Sequence, residues 1–129
     1  MTYAKNNRAA PIAIRFALPT GAFGCVRAAD TVFAVNVEWP GSESRDANEA
    51  LDRTISGLGS RQQSYETTST TVDGQPAELL VAHTAMPERE VFFDYEGRIW
   101  EIFIYSESSQ ADQAKLDFQR IIDTFRILP

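Results

Sequence analysis

Apolar and polar positions alternate with period two at four places, and each marks a strand with one buried face. The first is Ile12, Ile14, Phe16 and Leu18 against Ala13, Arg15 and Ala17, closed by Pro19-Thr20-Gly21. The second is Phe33, Val35, Val37 and Trp39 against Ala34, Asn36 and Glu38, closed by Pro40-Gly41-Ser42. The third and fourth are residues 91–95 and 98–105, which flank Glu96-Gly97. A two-residue turn there sets Phe93 opposite Trp100 and Phe92 opposite Glu101. One face of the hairpin then carries Val91, Phe93, Tyr95, Trp100, Ile102 and Ile104, and the other Phe92, Asp94, Ile99, Glu101, Phe103 and Tyr105.

Between these segments the signals change. Ala47, Ala50, Leu51, Ile55 and Leu58 recur at three and four, which predicts a helix over residues 46–58 with one apolar stripe. Asp46 with Glu49 forms a capping pair, Ser44 is an equal candidate for the N-cap, and Gly57 and Gly59 supply the stop. Residues 65–72 read as a Thr-rich, half-exposed strand. Asp73-Gly74 predicts a hairpin turn into a return strand over residues 77–84. Leu79-Leu80-Val81 implies burial on both faces there. A second helix is expected over residues 110–125, capped by Ser109, with Ala111, Ala114, Phe118, Ile121, Ile122 and Phe125 on one side. Leu116 lies about 160° from Phe118 on the helix circumference, so it faces solvent. Residues 22–28 add a weaker strand, and residues 85–89, with Pro87, a loop.

Hairpin connections dominate, so the expected fold is α+β: a mostly antiparallel sheet of about six or seven strands, layered with helices at 46–58 and 110–125. Residues 1–11 read as a flexible N-terminal tail and residues 12–129 as a single domain, the size for which 129 residues is ordinary.

Composition removes several function classes. The net charge is −6 and the 12 Lys and Arg are scattered, which argues against nucleic acid and against a polybasic membrane patch. No apolar run approaches the roughly 20 residues of a membrane span. Residues 9–18, interrupted by Pro11 and Arg15, make a poor signal-peptide core. A single cysteine, Cys25, excludes an internal disulfide and a cysteine-rich zinc site.

Candidate chemistry is sparse. His83 is the only histidine, so a multi-histidine metal site is excluded; its ordinary use at a strand end is a structural hydrogen bond, its less common one a ligand contact. Cys25 reads as a buried thiol, because no base is evident beside it. Asp94 and Glu101 share the aromatic face of the hairpin. Paired carboxylates beside aromatic rings suit glycosidase-like acid–base work or a hard cation, and equally a partly solvated face whose carboxylates pair with Lys or Arg. Glu88, Glu90, Asp94 and Glu96 make the hairpin acidic, which is expected to face solvent and discourage edge pairing, with recognition of a basic partner as the less common use. Trp39 and Trp100 read as core or core-edge. Gly21-Ala22-Phe23-Gly24 lacks the Lys-Ser/Thr ending of a phosphate loop, and no nucleophile elbow occurs. No catalytic residue, metal ligand or cofactor is therefore assigned.

Phe16-Ala17-Leu18-Pro19, Asp73-Gly74-Gln75-Pro76-Ala77, Gly97-Arg98-Ile99-Trp100-Glu101-Ile102 and the run from Phe118 to Ile127 together resemble the PsbP/Mog1-like group of α+β domains, in its bacterial lipoprotein-type branch. The resemblance covers residues 12–129 as a topology, and its motifs mark turns and core. It implies an accessory or binding role at the outer side of a bacterial membrane and brings no catalytic set with it. Nothing in this sequence points to the photosystem or small-GTPase roles found in that group. The resulting expectation is a non-enzymatic binding module with an unidentified protein partner, using Phe92, Asp94, Glu101, Phe103, Tyr105 and His83. The alternative is a small-ligand or divalent-cation domain using Asp94 and Glu101. The patch idea requires that its side chains are not covered by a helix.

Overall fold

The two hairpin turns fix the register of most of the molecule. In the computed structural model, which describes residues 2–6, 11–15, 31–41 and 43–128, Asp73 and Gly74 have φ of 49° and 75°, and Glu96 and Gly97 have 48° and 71°. Two successive positive φ values make the two-residue turn whose twist matches that of the strands it joins, and glycine at the second position takes up that conformation without a Cβ clash. The first turn joins β4 (Ser64–Val72) to β5 (Gln75–His83), and the second joins β6 (Glu88–Tyr95) to β7 (Arg98–Ser106). Phe93 stands opposite Trp100 and Phe92 opposite Glu101, as the two-residue turn requires.

With β3 (Thr31–Glu38) these strands form a five-stranded antiparallel sheet in the order β3-β7-β6-β5-β4. Two further strands, β1 (Thr2–Asn6) and β2 (Pro11–Arg15), combine with the last strand, β8 (Arg126–Leu128), in a separate three-stranded sheet, β1-β2-β8. The fold class is thus α+β and antiparallel as expected, with the strands divided between two sheets. The N-terminal tail expected over residues 1–11 contains a strand: Thr2–Asn6 pairs in register with Pro11–Arg15. A hairpin this close to the terminus satisfies backbone groups that a tail would leave to water. The strand expected over 22–28, with Cys25, lies outside the described residues.

The helices cover opposite faces of the five-stranded sheet. α1 (Ala47–Ser60) starts on two carboxylates: Asp46 accepts a hydrogen bond from Glu49 N at 2.9 Å, and Asp94 of β6 accepts one from Ala47 N at 2.9 Å. Both satisfy N–H groups that a helix start leaves unpaired, and both place negative charge at the positive end of the helix dipole. The apolar stripe of α1 buries Ala47, Ala50, Leu51 and Leu58 against Leu80, Ala82, Phe92 and Ile99. α2 (Ala111–Thr124) follows a single 3₁₀ turn at Ser108–Gln110 and buries Ala114, Phe118, Ile121 and Ile122 on the other face. The cap expected from Ser109 is replaced by Gln110, whose side chain makes no capping bond, because the 3₁₀ turn takes up Ser109.

The main core lies beneath α2. Phe93 stacks on Trp100 at 5.8 Å, and Trp100 meets Phe125 edge-on at 6.2 Å. Val72, Val91, Ile102 and Ile104 surround them. Asp73 ties the chain end to this layer: its carboxylate accepts from Ile127 N at 3.0 Å and lies 3.7 Å from Arg126 Nε. Trp39 departs from the core reading. It is 41% exposed, with the Arg98 guanidinium 5.0 Å above its ring, because the strand ends at Glu38 and Trp39 lies beyond the covered sheet.

Candidate functional site

The alternation of β6 and β7 decides which side chains share the α1 face. Glu88, Glu90, Phe92 and Asp94 stand there on β6, paired with Tyr105, Phe103, Glu101 and Ile99 on β7. β3 adds Val32, Ala34 and Asn36, opposite Tyr105, Phe103 and Glu101. The face has two halves. α1 covers its β5–β6 side, from Phe92 and Ile99 near the Glu96-Gly97 turn to Leu80 and Ala82 opposite Glu90 and Glu88. Phe92, expected in a binding patch, is therefore a core residue, and Asp94 serves as a helix cap. The other half lies toward β3, and here Phe103 and Tyr105 stay half-buried with their rings stacked 6.0 Å apart at 8°.

Three carboxyl groups converge on this open half. Glu101 accepts a hydrogen bond from Asn36 Nδ2 at 3.4 Å. Burial raises its pKa, the Asn36 bond lowers it, nearby Glu38 raises it and Arg53 lowers it, with a net upward shift. Arg53 is itself shared with Glu43 at 3.3 Å and Glu38 at 4.0 Å. Burial also raises Glu88, against the pull of Arg61. Glu90 sits between the two and is only 7% exposed. Among the described residues it accepts no hydrogen bond and has no ion-pair partner. Burial first, then the charges of Glu88 and Glu101, push it up to about 8. Desolvation and like charge both disfavour its ionised form, so Glu90 is largely a neutral acid at neutral pH.

The sequence pattern groups Glu90 with a solvent-facing acidic hairpin. The structure buries it, because β6 begins at Glu88 and not at Val91, which places Glu90 inside the sheet between β5 and β7. The signal was present in the sequence: extending the Phe92/Asp94 set backwards by two and four residues puts Glu90 and Glu88 on the face of Phe103. His83 does not join this group. It projects from β5 on the α2 side of the sheet, is exposed, and lies 3.5 Å from Glu66. Among the described residues no group of three or more His, Cys, Asp or Glu is placed to hold a metal ion. The arrangement can instead receive a cationic or hydrogen-bonding group from outside, with aromatic faces beside it.

No family model and no curated protein sequence matches the chain. Solved structures do match its fold. PA94 of Pseudomonas aeruginosa, a protein of unknown function, superimposes with a TM-score of 0.64 at 13% identity, over 99% of this chain and 98% of that one. The cyanobacterial PsbP (CyanoP) of Synechocystis sp. PCC 6803 gives 0.59 at 13% identity, over 99% and 92%. LpqN of Mycobacterium tuberculosis, involved in cell envelope biogenesis, gives 0.54 at 10% identity, over 99% and 79%. The chain has the PsbP/Mog1-like α+β fold. At these identities the likeness is one of architecture. No helix among the described residues is long and apolar enough to cross a membrane.

Proposed function

We propose that the chain is a non-enzymatic binding or accessory module, and that it engages a protein partner through the open half of the α1 face. The observation that carries this reading is Glu90, a carboxyl group 7% exposed with no partner of its own, set between Glu88 and Glu101 and beside the stacked Phe103 and Tyr105. Its oxygens are not among the fully buried polar atoms and so still reach solvent, which lets a group from outside meet a carboxyl whose ionisation burial makes costly. A Lys or Arg side chain from a partner supplies what is missing. It neutralises Glu90 as the carboxyl ionises, and the aromatic pair flanks its cationic head. The solved structures of like fold include one protein involved in cell envelope biogenesis, which is compatible with an accessory role.

The divalent-cation reading has less support. Asp94 is occupied at the start of α1, and His83 projects from the other side of the sheet.

The test is site-specific photo-crosslinking in the native cell. A photoreactive residue at Tyr105 is expected to give one discrete adduct, which Glu101→Gln and Glu90→Gln both weaken. The same probe at Leu116, 65% exposed on α2, is expected to give none. Adducts that are equal at the two positions, or indifferent to the Glu substitutions, contradict the reading.

A further inference from the structure

On the α2 side, at the end of the sheet away from the Glu96-Gly97 turn, β5, β6 and β7 and the first turn of α2 enclose a cavity of about 260 Å³. Its floor is apolar, with Val81, Ile104 and Ala114, and its rim is basic, with His83, Arg89 and Lys115. Register puts His83, Arg89, Ile104 and Ser106 on this one face of the sheet.

Three features of the wall bear on what the cavity can hold. Ser106 is 0% exposed, and its hydroxyl has no hydrogen-bond partner, although its N–H donates to Pro87 O at 3.2 Å. Arg89 is half-buried and forms no ion pair among the described residues; burial lowers its pKa, and the charge of Glu66 on the same face of the sheet partly offsets this. α2 starts in the cavity wall without a side-chain cap, its first N–H, of Ala111, donating back to Ser108 O of the 3₁₀ turn. A buried hydroxyl, a desolvated guanidinium and the positive end of a helix dipole all favour an acceptor oxygen in the same space. Asp112 and Glu88 also line the cavity and oppose an anion. Asp112 is exposed to solvent, and Glu88 projects from the opposite side of β6, which leaves the Arg89 side of the rim basic.

We propose that this cavity is a binding site for a small organic oxyanion, its anionic head held by Arg89, Lys115 and the start of α2 and its short apolar body laid on Val81, Ile104 and Ala114. The site lies on the face opposite the partner-binding surface and does not depend on it. Volume limits the ligand to something smaller than the usual drug-sized occupant.

Butyrate is the probe, titrated into the isotopically labelled full chain at constant ionic strength, with butan-1-ol and butylamine as neutral and cationic controls. Saturable amide shifts are expected at Arg89, Ser106 and the first turn of α2 with butyrate, weaker ones with butan-1-ol and none with butylamine. Arg89→Gln is expected to weaken butyrate by about tenfold or more, the size of a lost hydrogen bond to a charged group. Lys115→Gln, at an exposed position that leaves folding intact, is expected to weaken it by a smaller factor in the same direction. The proposal is overturned if butyrate shifts are scattered over the surface, if they persist unchanged in Lys115→Gln and Arg89→Gln, or if butylamine or butan-1-ol binds as well as butyrate.

Discussion

The two faces of the β6–β7 hairpin are built from alternate residues of the same two strands, yet they are opposites in chemistry. On the α2 face Val91, Phe93, Trp100, Ile102 and Ile104 are all 3% exposed or less, and they pack on a helix whose whole apolar stripe is used. On the α1 face the helix covers the β5–β6 side, including Leu80 and Ala82 beside Glu90 and Glu88, and toward β3 stand Glu101, Phe103 and Tyr105. Burial by itself does not separate the two faces, since Glu90 is nearly as buried as the core. What separates them is whether burial is matched by chemistry. Apolar side chains under α2 gain from leaving water, whereas burial makes ionisation of Glu90 costly. One hairpin can thus carry an apolar layer on one face and ionisable groups on the other, with a two-residue repeat assigning each side chain to its side.

The contrast can be broken most violently on the α2 face. Trp100→Ala is expected to cost about 3–5 kcal/mol in urea unfolding, because it removes a ring that touches both Phe93 and Phe125 and leaves a cavity. If Trp100→Ala costs no more than an ordinary surface substitution, the α2 face is not the main core.

The next effect is a pH dependence that belongs to the α1 face alone. Glu90 has a folded pKa raised from 4.5 to about 8. A raised acid contributes stability that is complete below the unfolded value and is lost as pH rises through the folded one. Thermal stability is therefore expected to fall between pH 4.5 and about 8 through Glu90, with Glu88 and Glu101 adding to the fall in the same direction. Glu90→Gln imitates the neutral acid. Melting curves of the variant should match the wild type at the acid end of this window, exceed it at the alkaline end, and show a flatter profile between. Equal melting temperatures at the alkaline end would mean that the carboxyl finds a partner there.

A smaller effect separates the two halves of the α1 face. Asp94→Ala is expected to cost about 1 kcal/mol, the worth of a helix-start acceptor, and to speed amide exchange at the N-terminal end of α1 without affecting α2. Asp94→Asn, which keeps an acceptor oxygen, should recover most of the loss. Uniform acceleration over both helices would show that Asp94 acts on the whole fold and not as a cap. Least of all is expected from Leu116→Gln, at an exposed position of α2: within about 0.5 kcal/mol of wild type by urea unfolding.

How much of this the sequence shows depends on the kind of signal. The hairpin faces were legible because Asp73-Gly74 and Glu96-Gly97 leave one turn geometry, and a two-residue turn fixes register without any tertiary information. Both helices were legible from their apolar spacing, and Asp46 was legible as a cap from its Glu49 partner. The start of β6 was not. Pro87 and three charged residues at Glu88, Arg89 and Glu90 look like a loop, and only pairing with β5 and β7 makes them a strand. The site was missed with it: Asp94 and Glu101 were visible as carboxylates near aromatic rings, whereas Glu90 was read as solvated charge. Which half of a face a helix will cover depends on where that helix lands, and the stripe of α1 carries no record of that. Nor does periodicity place Thr2–Asn6, a strand that exists through its pairing with Pro11–Arg15.

The central claim is that an unpartnered, neutral carboxyl waits beneath the open half of the α1 face. The direct measurement is the ¹³C shift of the Glu90 side-chain carboxyl, followed by NMR in the isolated full chain from about pH 4 to about pH 10, a range that brackets both ordinary and raised carboxyl values. The account predicts a titration midpoint near 8, well separated from the other glutamates. A midpoint in the ordinary carboxylate range, about 4.3, would contradict it and return the face to plain solvated charge.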